Sequence, residues 1–168
     1  MEIVADDPPA PPAAQSVVRE PPAWIADAMT RMNGQDPRLV TEKTVTKSDV
    51  NKSLSRLLIP FTAIKDEDFL TDDERRSIDG MYEESKNTKK KYAGFQVKVI
   101  DPMTRTWDLA LKRWNMEKSS KNDGFSSNYS LQKNWNRLAE ANEFEEGDGL
   151  ELWSFRAEGQ LCLAIFTH

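Results

Sequence analysis

Apolar positions along this chain fall in short runs, and their spacing changes from helical to alternating near residue 41. Ile25, Met29 and Met32 recur at i, i+4 and i+7 behind Pro22 and ahead of Gly34. That spacing predicts a short amphipathic helix within 23–34, with prolines at its start and a glycine just past its end. Its apolar face calls for a partner, either the core of the chain itself or another protein. Beyond Thr41, Thr44-Val45-Thr46 and Arg56-Leu57-Leu58-Ile59-Pro60 are β-branched or apolar runs bounded by polar residues, and they predict strands. Thr71 and Glu74 form a capping box, which predicts a short helix over 72–78. Phe95, Val97 and Val99 alternate with polar residues, and Trp107, Leu109 and Leu111 do so after the Asp101-Pro102 turn. The pair reads as an antiparallel hairpin with one face buried. Residues 115–127 are polar and carry little that packs. A strand is expected at 129–132 and a helix at 134–141, where Trp135 and Leu138 share a face. The runs at 150–155 and 161–166 make a closing hairpin around Ala157-Glu158-Gly159.

Roughly seven short strands and two short helices without βαβ alternation describe a mainly β chain, a barrel or sandwich with appended helices. The first 22 residues hold six of the nine prolines among alanines and acids, so 1–22 reads as a disordered tail that cannot offset its ordering entropy. A length of 168 residues fits one domain behind such a tail. Cys162 is the one cysteine and His168 the one histidine, which excludes an intrachain disulfide framework and a self-contained Cys/His zinc site. No run approaches the length of a membrane span and no secretory signal is visible, leaving a soluble intracellular protein without cofactor or metal as the expectation. The acids at 143–151 lack the ligand spacing of a calcium loop and read as a solvated turn.

Charge alters this picture. The net of −5 at neutral pH argues against a nucleic-acid partner only if it is evenly spread, and it is not. Residues 66–84 carry nine acids against two arginines, and 140–151 carry six acids and no base. Residues 43–56 are net +3, 86–98 hold five lysines and no acid, and 105–121 are net +3. A basic face can track phosphates while the acidic remainder sets the total. Trp114 stands beside Lys112 and Arg113 at the mouth of the polar stretch, where it either stacks on a base or sugar or forms a lid over the barrel mouth.

Three motifs, in order, carry a family resemblance. Lys43-Thr-Val-Thr-Lys-Ser-Asp-Val50 followed by Arg56-Leu-Leu-Ile-Pro60, then Trp107-Asp-Leu-Ala-Leu-Lys-Arg-Trp114, then Tyr129-Ser-Leu with Trp135 and Phe144-Glu-Glu-Gly-Asp-Gly-Leu-Glu-Leu-Trp153 resemble the plant B3 DNA-binding domain over residues 41–168. Pro22-Ala-Trp-Ile25, Gly34-Gln-Asp-Pro37 and Phe69-Leu-Thr71 are similar to a subgroup of REM-like B3 proteins formerly catalogued under a plant domain of unknown function. The resemblance implies a seven-stranded open pseudobarrel with two short helices, here preceded by the 23–34 helix and the tail. It further implies a nuclear, non-catalytic module that places two arms in the major groove of double-stranded DNA to regulate transcription.

Mapped onto this chain, the first arm runs from Lys47 to Arg56, with Lys52, Ser53, Ser55 and Arg56 as contact candidates. The second begins at Lys112, Arg113 and Trp114 and continues through Asn115 and Lys118 to Ser127 and Asn128. Strand parity puts Lys112 and Trp114 together, opposite Leu109 and Leu111, and gives Arg113 the leucines' parity. Arg56 either reads guanine or pairs with Asp49; Ser53 and Ser55 either reach phosphate or close turns. Lys89, Lys90 and Lys91 form either a nuclear-import patch or a solvated loop. The alternative reading of the whole is a protein-interaction module on a B3 scaffold that has lost DNA binding, engaging other transcriptional proteins through the N-terminal helix. No membrane partner is expected.

Overall fold

The computed structural model describes residues 19–88, 93–117 and 125–168. Most of the proline-rich tail, the lysines at 89–91 and Lys118 lie outside them. The first helix, α1 (Ala23–Arg31), starts at Pro22, whose carbonyl accepts from the Ile25 and Ala26 amides at 3.0 Å. The chain then enters an eleven-residue strand, β1 (Gly34–Thr44). This corrects the expected strand at Thr44-Val45-Thr46, because β1 ends where that run begins. Two register shifts, at Gln35/Arg38 and Leu39/Thr41, interrupt its pairing. Such bulges break the two-residue alternation that marks a strand in a sequence.

β2 (Leu57–Pro60) follows the first arm, and α2 (Asp72–Thr88) follows the capping box. In that box the Thr71 amide donates to Glu74 Oε1 at 2.9 Å and the Glu74 amide to Thr71 Oγ1 at 3.1 Å. The expected hairpin forms as β3 (Phe95–Ile100) and β4 (Thr106–Glu117), with Val97 opposite Leu109 and Phe95 opposite Leu111. β4 runs on into the polar stretch and pairs with β5 (Phe125–Lys133). α3 (Trp135–Ala141), β6 (Gly149–Ala157) and β7 (Gln160–Thr167) complete the chain order.

The seven strands make one open sheet in the order β1-β6-β7-β3-β4-β5-β2, antiparallel throughout except for β3 beside β7. The edge strands β1 and β2 are tied by the segment that follows β2. The Lys65 amide donates to the Val40 carbonyl and Thr41 Oγ1 to the Ala63 carbonyl, each at 2.7 Å. The inner face encloses the main core, where Leu57, Leu109, Leu131 and Leu163 are fully buried beneath Trp135 and Leu138 of α3.

A second cluster lies on the outer face. Ile25, Ala28 and Met29 of α1 pack there with Ile100, Trp153, Phe155, Cys162 and Ala164. Trp24 meets Phe166 edge-on at 5.9 Å. The apolar face of α1 is therefore packed within the chain. β6 and β7 are buried on both faces; β7 reads as a nearly continuous apolar run, while β6 also buries the polar Glu151 and Ser154.

Candidate nucleic-acid interface

The first arm, residues 47–56, is built on one buried carboxylate. Asp49 accepts from Lys43 Nζ at 2.7 Å, from the Thr46 amide at 2.9 Å and from the Leu58 amide at 3.2 Å. Its carbonyl accepts from the buried Trp135 Nε1 at 2.8 Å. The turn beyond is closed by Asn51 Oδ1, which accepts from the Ser53 amide at 2.9 Å. Ser55 takes φ +54°; its hydroxyl donates to the Lys52 carbonyl at 2.8 Å and accepts from Asn136 Nδ2 at 2.9 Å. Asn136 also donates to the Lys52 carbonyl at 3.0 Å, so α3 holds the arm from behind.

This arrangement settles where the arm's side chains stand. Ser55 closes the turn, while Lys47, Lys52, Ser53 and Leu54 are exposed. Lys52 Nζ lies 3.1 Å from Glu140 Oε2 on α3, with both side chains mostly in solvent. Arg56 is half-buried; its Nη1 donates to the Ser48 carbonyl at 3.3 Å and lies 3.9 Å from Asp49 Oδ1.

The second element is the β4–β5 ladder. Paired residues of an antiparallel ladder share a face. Lys112 opposite Ser130, Trp114 opposite Asn128 and Met116 opposite Ser126 therefore form one outer row. Arg113 opposite Tyr129 and Asn115 opposite Ser127 form the inner row. Arg113 is turned toward α2: its Nη1 donates to Asp79 Oδ1 at 3.0 Å, and its guanidinium lies over the rings of Phe61 and Tyr82 at 5.3 and 5.9 Å. Its Nε and Nη2 donate to Asn115 Oδ1 and Ser127 Oγ at 3.3 and 3.5 Å. Three expected contact residues, Arg113, Asn115 and Ser127, thus come together on the face opposite Trp114. Alternation continues past Leu111, and it carries Arg113 inward.

Asn128 is buried, and its Nδ2 donates to the carbonyls of Trp114 and Ser126 at 3.2 Å. It fixes the backbone under Trp114. Lys112 lays its stem over Gly94, where a Cβ would stand 2.7 Å from Lys112 Cγ; Gly94 also has φ +82°. Both facts require glycine there.

The arm and the ladder meet around an open hollow of about 320 Å³ lined by Ser53, Leu54, Arg56, Leu58, Trp114, Met116, Ser130 and Gln132. It contains an arginine and no carboxylate. Two other depressions carry an excess of acids: one beside α2 is lined by Glu67, Asp68 and Asp79 with Arg75, and one beside α3 by Glu140, Glu143 and Glu145 with Lys52.

Leu54, Leu58, Met116, Ser130 and Gln132 were not expected at the site. Met116 was accessible by extending the parity of Trp114 two residues; the others depend on strand pairing across the sheet. Among the described residues no three His, Cys, Asp or Glu side chains are grouped to hold a metal. Cys162 is buried in the second cluster, and burial pushes its thiol up.

A family model described as "B3 domain-containing protein At2g31720-like" matches residues 17–168. Among curated relatives from Arabidopsis thaliana, this chain is 40% identical to B3 domain-containing protein At3g25182 over 148 residues, covering 88% of this chain and 41% of that protein. It is 36% identical to B3 domain-containing protein At2g32645, covering 82% of this chain and 68% of that one. The chain spans less than half the length of seven such relatives. Among solved structures, the Arabidopsis thaliana transcription factor LEC2 in complex with DNA is similar at 20% identity with a TM-score of 0.44, over 79% of this chain and 95% of that one.

Proposed function

This chain belongs to the B3 domain family, and on that premise we propose that it binds double-stranded DNA sequence-specifically in a plant nucleus and regulates transcription. The observation that carries the proposal is the carboxylate-free hollow between the first arm and the β4–β5 ladder, with Arg56 in its lining. Lys47, Lys52 and Lys112 are assigned to phosphates, with Ser53 as an added donor. Arg56, at the rim of the hollow, is assigned to a base edge, where an arginine pairs with guanine O6 and N7. Trp114 contributes an exposed ring for stacking or groove contact. Ser55, Arg113, Asn115, Ser127 and Asn128 position these groups. Lys118, also expected to contact DNA, lies outside the described residues.

The test is selection of bound duplexes from a random pool, followed by titration of the winner at several salt concentrations. Each phosphate neutralised contributes about −0.9 to the slope of log K against log salt. The expected result is an enriched sequence and a slope steeper than about −3. A flat salt response with no enriched sequence overturns the proposal.

A further inference from the structure

Among the described residues, four large apolar side chains are substantially exposed: Leu54 at 47%, Met103 at 70%, Trp114 at 48% and Met116 at 40%. Met103 stands apart on the β3–β4 turn. The other three come from two segments some sixty residues apart in sequence and line the same carboxylate-free hollow. Phosphate binding does not call for them, since phosphates take cations and hydrogen-bond donors. On the base edges of B-DNA the apolar group is the C5-methyl of thymine, and it projects into the major groove.

We infer that this hollow receives the C5-methyl group of a thymine next to the base contacted by Arg56, making Leu54, Trp114 and Met116 specificity-determining residues. The inference rests on the DNA-binding reading and deepens it. The polar members suit the same occupant. Arg56 occupies the rim, and Gln132 is held in place where its Nε2 donates to the buried Ser130 Oγ at 2.8 Å. Leu58 and Ser130 pair across β2 and β5 beneath them. The absence of acids from the lining fits a polyanion and disfavours a basic peptide, which the Glu67–Asp79 and Glu140–Glu145 depressions suit better on charge.

The experiment replaces each thymine of the selected duplex in turn by deoxyuridine, which removes the methyl and leaves pairing unchanged. Affinity is read by fluorescence anisotropy with the full chain. Withdrawal of one buried methyl is expected to weaken binding about fourfold at one position. In Leu54→Ser and Met116→Ser proteins, checked for folding by circular dichroism, the thymine and uracil duplexes become equal at that position. Equal affinity of the unmodified protein for every uracil duplex overturns the inference while leaving DNA binding standing. A gain from 5-methylcytosine with no loss from uracil likewise overturns the thymine assignment. Failure to bind any duplex overturns both readings.

Discussion

Trp114 and Arg113 are neighbours in the chain and face opposite sides of the sheet, so truncating them should give opposite phenotypes. Trp114 is about half exposed, and Trp114→Ala should leave stability within about 0.5 kcal/mol while weakening DNA binding by about 1–3 kcal/mol. Arg113→Ala removes the Asp79 pair and the cover over two rings. It should lower stability by about 1–2 kcal/mol and change DNA affinity less than its neighbour does. Denaturant unfolding and anisotropy titration of both variants check this. Asp49 is the residue on which the arm depends. Asp49→Ala leaves the mostly buried Lys43 ammonium without its counter-charge, though still bonded to the Leu58 carbonyl, and two backbone amides without their acceptor. It should cost about 3–5 kcal/mol in the same unfolding measurement. Parity within β4 was legible from the sequence and correctly separated Trp114 from the leucines. The buried role of Asn128 and the hollow's Ser130 and Gln132 were not, because they depend on β5 pairing with both β2 and β4, segments distant in sequence.

At the scale of elements, α2 shows how a local signal misleads by stopping short. The capping box located its start, but the expected segment stopped at residue 78. The helix runs through Gly80 to Thr88, and a Cβ added at Gly80 would meet nothing within 4 Å. Ile78 is buried in the core, and Asp79 holds Arg113; these tertiary contacts outweigh the cost of the glycine. Gly80→Ala should therefore stabilise the protein by about 0.5–1 kcal/mol, read as a raised Tm. Both hairpins were legible because their alternation and turn residues are local. β1 was not, since Pro37 and two bulges disguise its pattern and its pairing partner, β6, lies more than a hundred residues away. The docking of α1 was open for a similar reason: an amphipathic face reveals that it must be covered, and Trp153 and Phe155 reveal by what.

At the scale of the whole molecule, Glu74, Asp101 and Glu151 are carboxylates that tie separate segments and are held below their ordinary range. Burial pushes the Glu74 carboxyl up, but Arg156 and Thr71 outweigh it and leave the group below its ordinary range. Burial likewise opposes ionisation of Asp101, where Trp107, Asn142 and Arg105 prevail, and of Glu151, where Trp153, Arg19 and His168 prevail. Each group is more acidic folded than unfolded. Its contribution is complete above the ordinary carboxylate range near pH ~4 and is lost as pH falls through that range toward the folded value. Thermal melts from pH 7 to pH 3 should show Tm falling at the acid end. Asp101→Asn should be less stable at pH 7 and show a shallower acid decline.

The placement of β7 has one more consequence. It is the last of the seven strands in sequence and third from one edge in space, between β6 and β3. A nascent polypeptide emerging from the ribosome can form the β3–β4–β5–β2 portion and the β1–β6 pair, yet the facing edges of β6 and β3 stay unpaired until β7 arrives. Loss of that strand would split the sheet and leave two unsatisfied edges, each a template for aggregation. Translation that stops short of residue 160 should therefore yield insoluble chains rather than a weakened binding module.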